Sequence, residues 1–373
     1  MLALDNDALR AAVSRVRPDP ARRARYFLYD ILRRNFRALA AVESLRPPLR
    51  FAYSVKTNPD GELLECANDA GLYAEVIGPQ ELDLAHRLGF GSRTVYNGPH
   101  PAWRAGDVPG VIFSDSPESF AENARRVEGA LVGIRVRPPG VASRFGIAES
   151  QLDDIVTAIR SSGRRTTGVS LHVRPQDFGN RSWRQIVASG IDFAREIEKR
   201  TGAKVTAFDV GGGKTPVEFD QSLAAGDFAW LLRETLAALA YAHAIFAEPG
   251  QAVVTPGAFF VAPVLEIRRY DGAADVVVDA GYPDLPQIHT FPHRVLALAG
   301  NDVALLERGN DRILGCTCLE YDVIRDDVRL PAHLDALEAI VIADAGAYDH
   351  SMSFDFARGG NRPVDERIGV PGG

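Results

Sequence analysis

Cysteine is scarce in this 373-residue chain: Cys66, Cys316 and Cys318 are the whole complement. An odd number at irregular spacing is no disulfide framework, and it suits a reducing compartment. Cys316-Thr317-Cys318 is too tightly spaced for a CxxC redox or zinc pair, and no second Cys/His cluster lies near it, so no metal site is expected. Long apolar runs are also missing, which argues against a membrane partner. The opening segment, Met1-Leu2-Ala3-Leu4-Asp5-Asn6-Asp7, is acidic and lacks the apolar stretch of a signal peptide, so the expected location is the cytoplasm. Excess positive charge is absent: 42 Lys and Arg against 49 Asp and Glu leave a net charge of -7. A nucleic-acid partner would usually leave a basic footprint. The one arginine-dense stretch, Arg15 to Arg37, is interleaved with acids and apolar residues and reads as a solvated helix face. Internal repeats and low-complexity linkers are lacking as well.

What remains is ordinary for a globular enzyme, with 46% hydrophobic and 24% charged residues. Strand-type runs fall at Phe51–Val55, Ala74–Ile77, Thr94–Tyr96, Gly110–Phe113, Leu131–Val136, Thr167–Val173, Val205–Val210 and Ala244–Ala247. Amphipathic stretches separate most of them, for example Gly61–Ala70, Gln80–Leu88, Pro117–Val127, Gln151–Ser161, Trp183–Thr201 and Ala229–Tyr241. Alternating strand and helix signals mean a parallel sheet. Roughly eight units over about 220 residues fit an α/β (β/α)8 TIM-type barrel better than an open sheet. Past Thr255 the pattern changes to strands and turns: Val261–Arg269, Asp275–Asp279, Arg294–Leu298, Asp322–Val328 and Ala339–Ala343. The expected division is therefore a barrel over 26–250 and a mainly β domain over 251–373 with 1–25. Gly359 to Gly373 reads as loop or tail.

Barrel chemistry collects at the C-terminal ends of the strands, and reactive residue types do fall there. Lys56 ends the run Phe51-Ala52-Tyr53-Ser54-Val55. An amine in a closed site loses its proton more readily and attacks carbonyls, as a Schiff-base enzyme requires. Gly211-Gly212-Gly213 follow Val205–Val210, where bare backbone amides approach a phosphate or simply make a tight turn. Glu248, in Glu248-Pro249-Gly250-Gln251, sets a carboxylate at a strand end, suited to a pyridinium or to a structural ion pair. His172 closes Gly168-Val169-Ser170-Leu171. It either stacks on a planar ring or is structural. Cys318 lies in a turn before a strand, where a cysteine is usually a buried small hydrophobe, and Tyr348 follows Ala345-Gly346-Ala347, where a core role is open.

Taken together and in order, these segments resemble the fold-type III pyridoxal-phosphate decarboxylases. That family holds the diaminopimelate, ornithine, lysine and arginine decarboxylases and is related to alanine racemase. The resemblance runs from Tyr26 to Tyr348. It implies a barrel that carries pyridoxal 5'-phosphate, a β domain that completes the site, and a homodimer with shared active sites. By position, Lys56 matches the Schiff-base lysine, Glu75 a family aspartate beside it, and His172 the histidine stacked on the ring. Gly211, Gly212 and Gly213 match the phosphate loop, Tyr348 a tyrosine reaching the phosphate, and Glu248 the acid at the pyridine nitrogen. Cys318 matches the catalytic cysteine supplied by the second subunit. Ser143-Arg144-Phe145-Gly146 resembles a Ser-Lys-Phe-Gly segment beside the site, which makes Arg144 a candidate substrate contact.

The departures bear on the substrate. The family often reads Glu-Pro-Gly-Arg, whose arginine holds phosphate; here Gln251 stands in that place. Val-Gly-Ser after the histidine is here Val173-Arg174-Pro175, so a serine hydroxyl is lost and Arg174 is expected to supply some of the charge missing at Gln251. The residue after the cysteine, commonly acidic in relatives that act on diamines or diaminopimelate, is Leu319. A loop arginine of the diaminopimelate enzymes is replaced by Gln287. Unpaired amines or carboxylates in a buried pocket are costly, so a specialised amino acid or an amino-acid conjugate is the expected substrate, as in siderophore and antibiotic pathways. His289, His293, Arg294 and Glu320 are further candidate contacts. Two other readings follow from the same resemblance. An amino-acid racemase would carry an arginine rather than Glu248 at the ring nitrogen. A non-catalytic regulatory homologue would be expected to have lost Lys56, Glu248 or Cys318.

Overall fold

The computed structural model describes residues 1–98, 108–300, 302–357 and 359–369. The chain separates into two compact units: Asn35–Ala252, and Met1–Arg34 together with Val253–Gly373.

Unit Asn35–Ala252 is a closed barrel of eight parallel strands. β1 lies outside it, at Ala24–Leu28; the barrel strands are β2 (Leu49–Ser54), β3 (Tyr73–Val76), β4 (Thr94–Tyr96), β5 (Val111–Ser114), β6 (Leu131–Val136), β7 (Thr166–Leu171), β8 (Lys204–Asp209) and β9 (Ala244–Ala247). β9 returns to β2 with Leu49 opposite Ile245, which closes the ring. The strands are nearly all buried because helices cover one side and side chains fill the other, so they read as continuous apolar runs. Gly133 and Gly168 sit on neighbouring strands, and a Cβ on either would come within 2.8 and 2.9 Å of the Phe113 ring. Their missing side chains are what let Phe113 lie in the barrel interior.

The covering helices start at strong signals. Ser116, Ser182 and Thr215 each cap a helix with a reciprocal box, over Pro117–Arg126, Trp183–Thr201 and Pro216–Ala224. Each such cap is worth about 1 kcal/mol. The Thr215 cap matters for position, because it fixes the chain just past the three glycines. Among the described residues no helix is long and apolar enough to cross a membrane.

The second unit is a nine-stranded sheet in the order β13-β12-β16-β10-β11-β14-β15, with β1 pairing β10 and β17. Here β10 is Ala258–Tyr270, β11 Ala273–Val278, β12 Val295–Ala299, β13 Asp302–Leu305, β14 Glu307–Leu314, β15 Val323–Arg329, β16 Ala339–Ala343 and β17 Val364–Ile368. Alternation along β10 splits its side chains between two cores. Phe259 and Val261 pack with Leu9, Ala12 and Val13 of helix Asn6–Val16. Phe260 and Ala262 pack with Val276, Val278, Ile340 and Ile342.

Three expectations are corrected by this unit. The arginine-dense stretch is not one solvated helix face: Arg25 lies within β1 and Arg23 just before it, and they are 2% and 8% exposed. Arg25 is held by Asp365 at 3.1 Å and by the Asp284 carbonyl at 3.2 Å. Burial lowers the Arg25 pKa, while Asp365, Asp349 and Asp284 oppose that shift. The tail is not all loop, because β17 pairs in parallel with β1, Ala24 opposite Val364. That pairing, with β1 antiparallel to β10, draws residues 24–28 into the β unit rather than the barrel.

Candidate active site

The C-terminal ends of β2, β3, β7 and β9 deliver Lys56, Glu75, His172 and Glu248 to one cavity of ≈ 650 Å³. β2 ends at Ser54, and a single 3-10 turn over Val55–Thr57 swings Lys56 inward. Its Nζ lies 2.5 Å from Glu75 Oε2 and 2.7 Å from Ser54 Oγ.

Glu248 is 2% exposed. Asn97 Nδ2 donates to its Oε1, and His172 Nδ1 lies 3.3 Å from Oε2. Burial opposes its ionisation, yet hydrogen bonding and charge from His172, with the charge of Lys56, outweigh burial and bring its pKa down to about 2. A carboxylate held ionised in a closed site is a strong partner for a ring cation.

The three glycines are obligatory. Gly211 and Gly213 have φ of 67° and 93°, a region that favours glycine. A Cβ on Gly212 would lie 2.1 Å from the Glu248 carbonyl oxygen. The loop is tied on both sides: Glu248 N donates to Gly211 O at 2.8 Å, and Gly211 N to Asp209 Oδ1 at 2.9 Å. This donor set fits pyridoxal phosphate: an amine for the aldehyde, an ionised acid for the ring nitrogen, and a side-chain-free loop for the phosphate.

Arg174 lines the cavity, but its Nε and Nη2 bind Asp177 at 2.7 and 3.2 Å. Its charge is matched within its own turn, so the expected compensation for Gln251 lacks a net cation there. Gln251 is buried and opens the short helix Gln251–Val254. Lys214, one residue past the glycines, has Nζ 4.8 Å from the Trp183 ring centroid. Arg144 is exposed on the cavity wall, and Arg144 and Arg135 lie 4.2 and 4.9 Å from the Phe145 centroid.

The remaining candidates belong to the β unit. Cys318 is exposed and shares a surface cavity with Leu319 and Glu320. Tyr348 has φ of 66° and stacks on Phe291 at 5.8 Å. A non-glycine residue in that region signals local strain of the kind that gathers at functional sites. His289 Nε2 lies 3.1 Å from Tyr321 O, and Gln287 is buried. His293 and Arg294 are corrected as contacts. Both ring nitrogens of His293 are committed, to Phe291 O at 2.9 Å and Asp349 Oδ2 at 2.8 Å, with the residue 3% exposed. Arg294 clamps Asp344 at 2.7 and 2.8 Å. Those groups hold the unit together and leave little for a substrate.

Four polar residues of the site escaped the sequence reading: Ser54, Asn97, Asp209 and Arg135. The first three end or directly follow barrel strands, and that position was the available signal.

The chain is similar to several known proteins. The family described as "Pyridoxal-dependent decarboxylase, pyridoxal binding domain" matches residues 122–255. The chain is 24% identical over 370 residues to the L-glutamyl-[BtrI acyl-carrier protein] decarboxylase of Niallia circulans, covering 88% of this chain and 85% of that one. It is 27% identical to a probable chloroplastic diaminopimelate decarboxylase of Oryza sativa subsp. japonica, covering 89% and 73%. Its fold is similar to that of a lysine/ornithine decarboxylase complexed with putrescine from Vibrio vulnificus. The TM-score is 0.77 at 19% identity, over 98% of this chain and 99% of that one.

Proposed function

Because the chain belongs to the fold-type III pyridoxal-phosphate-dependent decarboxylases, we propose that it removes the α-carboxylate of a specialised amino acid or amino-acid conjugate, with Lys56, Glu248 and Cys318 at the centre of the chemistry. The carrying observation is the cavity in which the Lys56 amine and an ionised, buried Glu248 meet. Lys56 would be the amine that holds the cofactor by its aldehyde, with Glu75 as its counter-ion. His172 would flank the ring, Gly211 to Gly213 and Gln251 would hold the phosphate with Lys214 as a nearby cation, and the family resemblance adds Tyr348 as a phosphate contact. Bound pyridoxal phosphate supplies the electron sink for the pair left behind when carbon dioxide departs. Glu248 would face the ring nitrogen and favour its protonated form. Lys56 would hold or release a proton at Nζ, beside Glu75 Oε2 and Ser54 Oγ. Cys318 of the second subunit gives the proton to Cα.

The name of the Niallia circulans relative states a carrier-linked glutamyl substrate, which supports a conjugate here. Arg144, His289, Leu319 and Glu320 are proposed substrate contacts, and the enzyme is proposed to work as a homodimer in the cytoplasm. Two measurements test this. Borohydride reduction of the cofactor-loaded protein should fix a pyridoxyl group on the Lys56 peptide, and carbon dioxide release should be found across amino acids and carrier-linked conjugates. A label on any other lysine would sink the assignment. Mixing inactive Lys56→Ala and Cys318→Ala proteins should restore about a quarter of the activity if sites are shared between subunits; no recovery would exclude sharing.

A further inference from the structure

Two non-glycine residues of the β unit adopt a left-handed backbone close together: Asp344 with φ of 61° and Tyr348 with φ of 66°. They bracket Ala345-Gly346-Ala347, in the turn that follows β16. Such backbone persists only where its surroundings over-determine it. The middle of the turn has no slack. Ala345 N donates to Ala258 O at 3.1 Å, and a Cβ on Gly346 would lie 1.8 Å from the Val254 carbonyl oxygen.

The two ends are clamped by consecutive residues. His293 and Arg294 lead into β12, which pairs with β16, Val295 opposite Ile342. Arg294 grips the Asp344 carboxylate at 2.7 and 2.8 Å. His293 Nε2 lies 2.8 Å from Oδ2 of Asp349, the fully buried residue after Tyr348, and Gln287 N donates to Oδ1 at 3.0 Å. On its other side His293 Nδ1 lies 2.9 Å from Phe291 O, which can only accept, so Nδ1 carries a hydrogen. The Phe291 and Tyr348 rings are stacked, 22° from parallel. One imidazole thus ties down the backbone of one ring's residue and the neighbour of the other.

We propose that His293 and Asp349 are positioning residues: their buried contact holds Tyr348 in its left-handed conformation and so presets its side chain for the cofactor phosphate. This rests on the reading of Tyr348 as a phosphate contact and adds what fixes it there. Arg294 does the same for the far end of the turn through Asp344.

In Asp349→Asn a neutral His293 keeps its Nδ1 hydrogen for Phe291 O and accepts from the new amide at Nε2, while the amide oxygen still receives Gln287 N. Asp349→Ala loses both contacts; Asp349→Ser, shorter than aspartate, takes its place if the alanine protein does not fold. Met352 N donates to Tyr348 O at 2.8 Å, so its hydrogen exchange in the cofactor-free protein reports on the Tyr348 backbone. That exchange should quicken about tenfold or more in Asp349→Ala and stay within about threefold of wild type in Asp349→Asn. Tyr348→Phe should weaken pyridoxal phosphate binding. Asp349→Ala should weaken it about tenfold in the wild-type background and less than about twofold in the Tyr348→Phe background. Unchanged Met352 exchange in Asp349→Ala, equal effects of Asp349→Ala and Asp349→Asn, or equal losses of affinity in the two backgrounds would overturn the proposal. Wild-type affinity in Tyr348→Phe, with Met352 exchange still quickened in Asp349→Ala, would instead reject Tyr348 as the phosphate contact and leave the clamp standing.

Discussion

Lys56 Nζ and Ser54 Oγ converge on one oxygen of Glu75, each at 2.5 Å, yet the two charged partners are unequally buried: 28% of the Lys56 side chain is exposed and 1% of that of Glu75. Removing Lys56 strands a buried carboxylate, whereas removing Glu75 leaves an amine that can reach water. Stranded buried charges are the expensive ones, at roughly 3 kcal/mol or more against about 1 for an exposed partner. In the cofactor-free protein, Lys56→Met should therefore destabilise more than Glu75→Leu, and the double variant should recover much of the loss. Urea unfolding of the four proteins measures this, and equal costs for the two single changes would contradict the asymmetry.

Gly212 is set against the Glu248 backbone, so its substitution is a test of the loop. A Cβ there meets the Glu248 carbonyl at 2.1 Å, while a Cβ on Gly202, at the end of helix Trp183–Thr201, meets nothing within 4 Å. Gly202 has φ of 75°, so its alanine variant carries only the left-handed penalty, about 1 kcal/mol. Gly212→Ala must move backbone, at about 2–4 kcal/mol. It should also weaken pyridoxal phosphate binding, whereas Gly202→Ala should not. Thermal melts and cofactor titration of both variants decide it.

Glu81 lies at the start of helix Pro79–Arg87 and accepts Ile77 N at 2.8 Å. Burial first, with help from the Glu75 charge, raises its pKa from 4.5 to about 7, against that hydrogen bond and Lys56. The native state then binds more protons than the unfolded chain between those two values. Stability contributed by this group is greatest at low pH and is lost as pH rises from about 4.5 to about 7, on the order of 1–3 kcal/mol. Glu81→Gln should be more stable than wild type at pH 8 and nearly equal at pH 4.5. Denaturant unfolding at the two pH values checks the sign; a gap that widens toward acid would refute it.

The barrel was legible because each of its strands is buried on both sides and so reads as an unbroken apolar run closed by a turn. Lys56, Glu75, His172 and Glu248 stood out as reactive types against those runs. Asp209 did not, because an aspartate inside Phe208-Asp209-Val210 looks like the strand's polar end rather than the acceptor of Ser170 Oγ and Gly211 N. The Ser170 contact depends on β7 and β8 lying side by side, which no local pattern states. β13 and β14 were missed for the opposite reason. Glu307-Arg308-Gly309-Asn310-Asp311-Arg312 is largely solvated and lacks strand-forming residues, and it is held by pairing with β15 and β11. The burial of Arg25 likewise depends on Asp365, 340 residues away in the chain.

The charges of the cavity predict which substrates fit. Glu75 and Asp177 are matched there by Lys56 and Arg174, and Glu248 lies against His172 and Asn97. Arg135 and Arg144 instead stack on Phe145. Two guanidinium groups over one ring repel an ammonium-ended side chain and attract a carboxylate or phosphate. Carbon dioxide release should therefore be faster, in kcat/KM, from amino acids or conjugates with an anionic or neutral tail than from ornithine or lysine. Arg144→Glu should reverse part of that preference, with about a tenfold loss on an acidic-tailed substrate and little change on a neutral one. Arg144→Met keeps an unbranched side chain beside Phe145 without the charge. Its loss should fall between wild type and Arg144→Glu if charge is the cause. A wild-type preference for diamine-forming substrates, unchanged in both variants, would show that these arginines serve the fold and do not select the substrate.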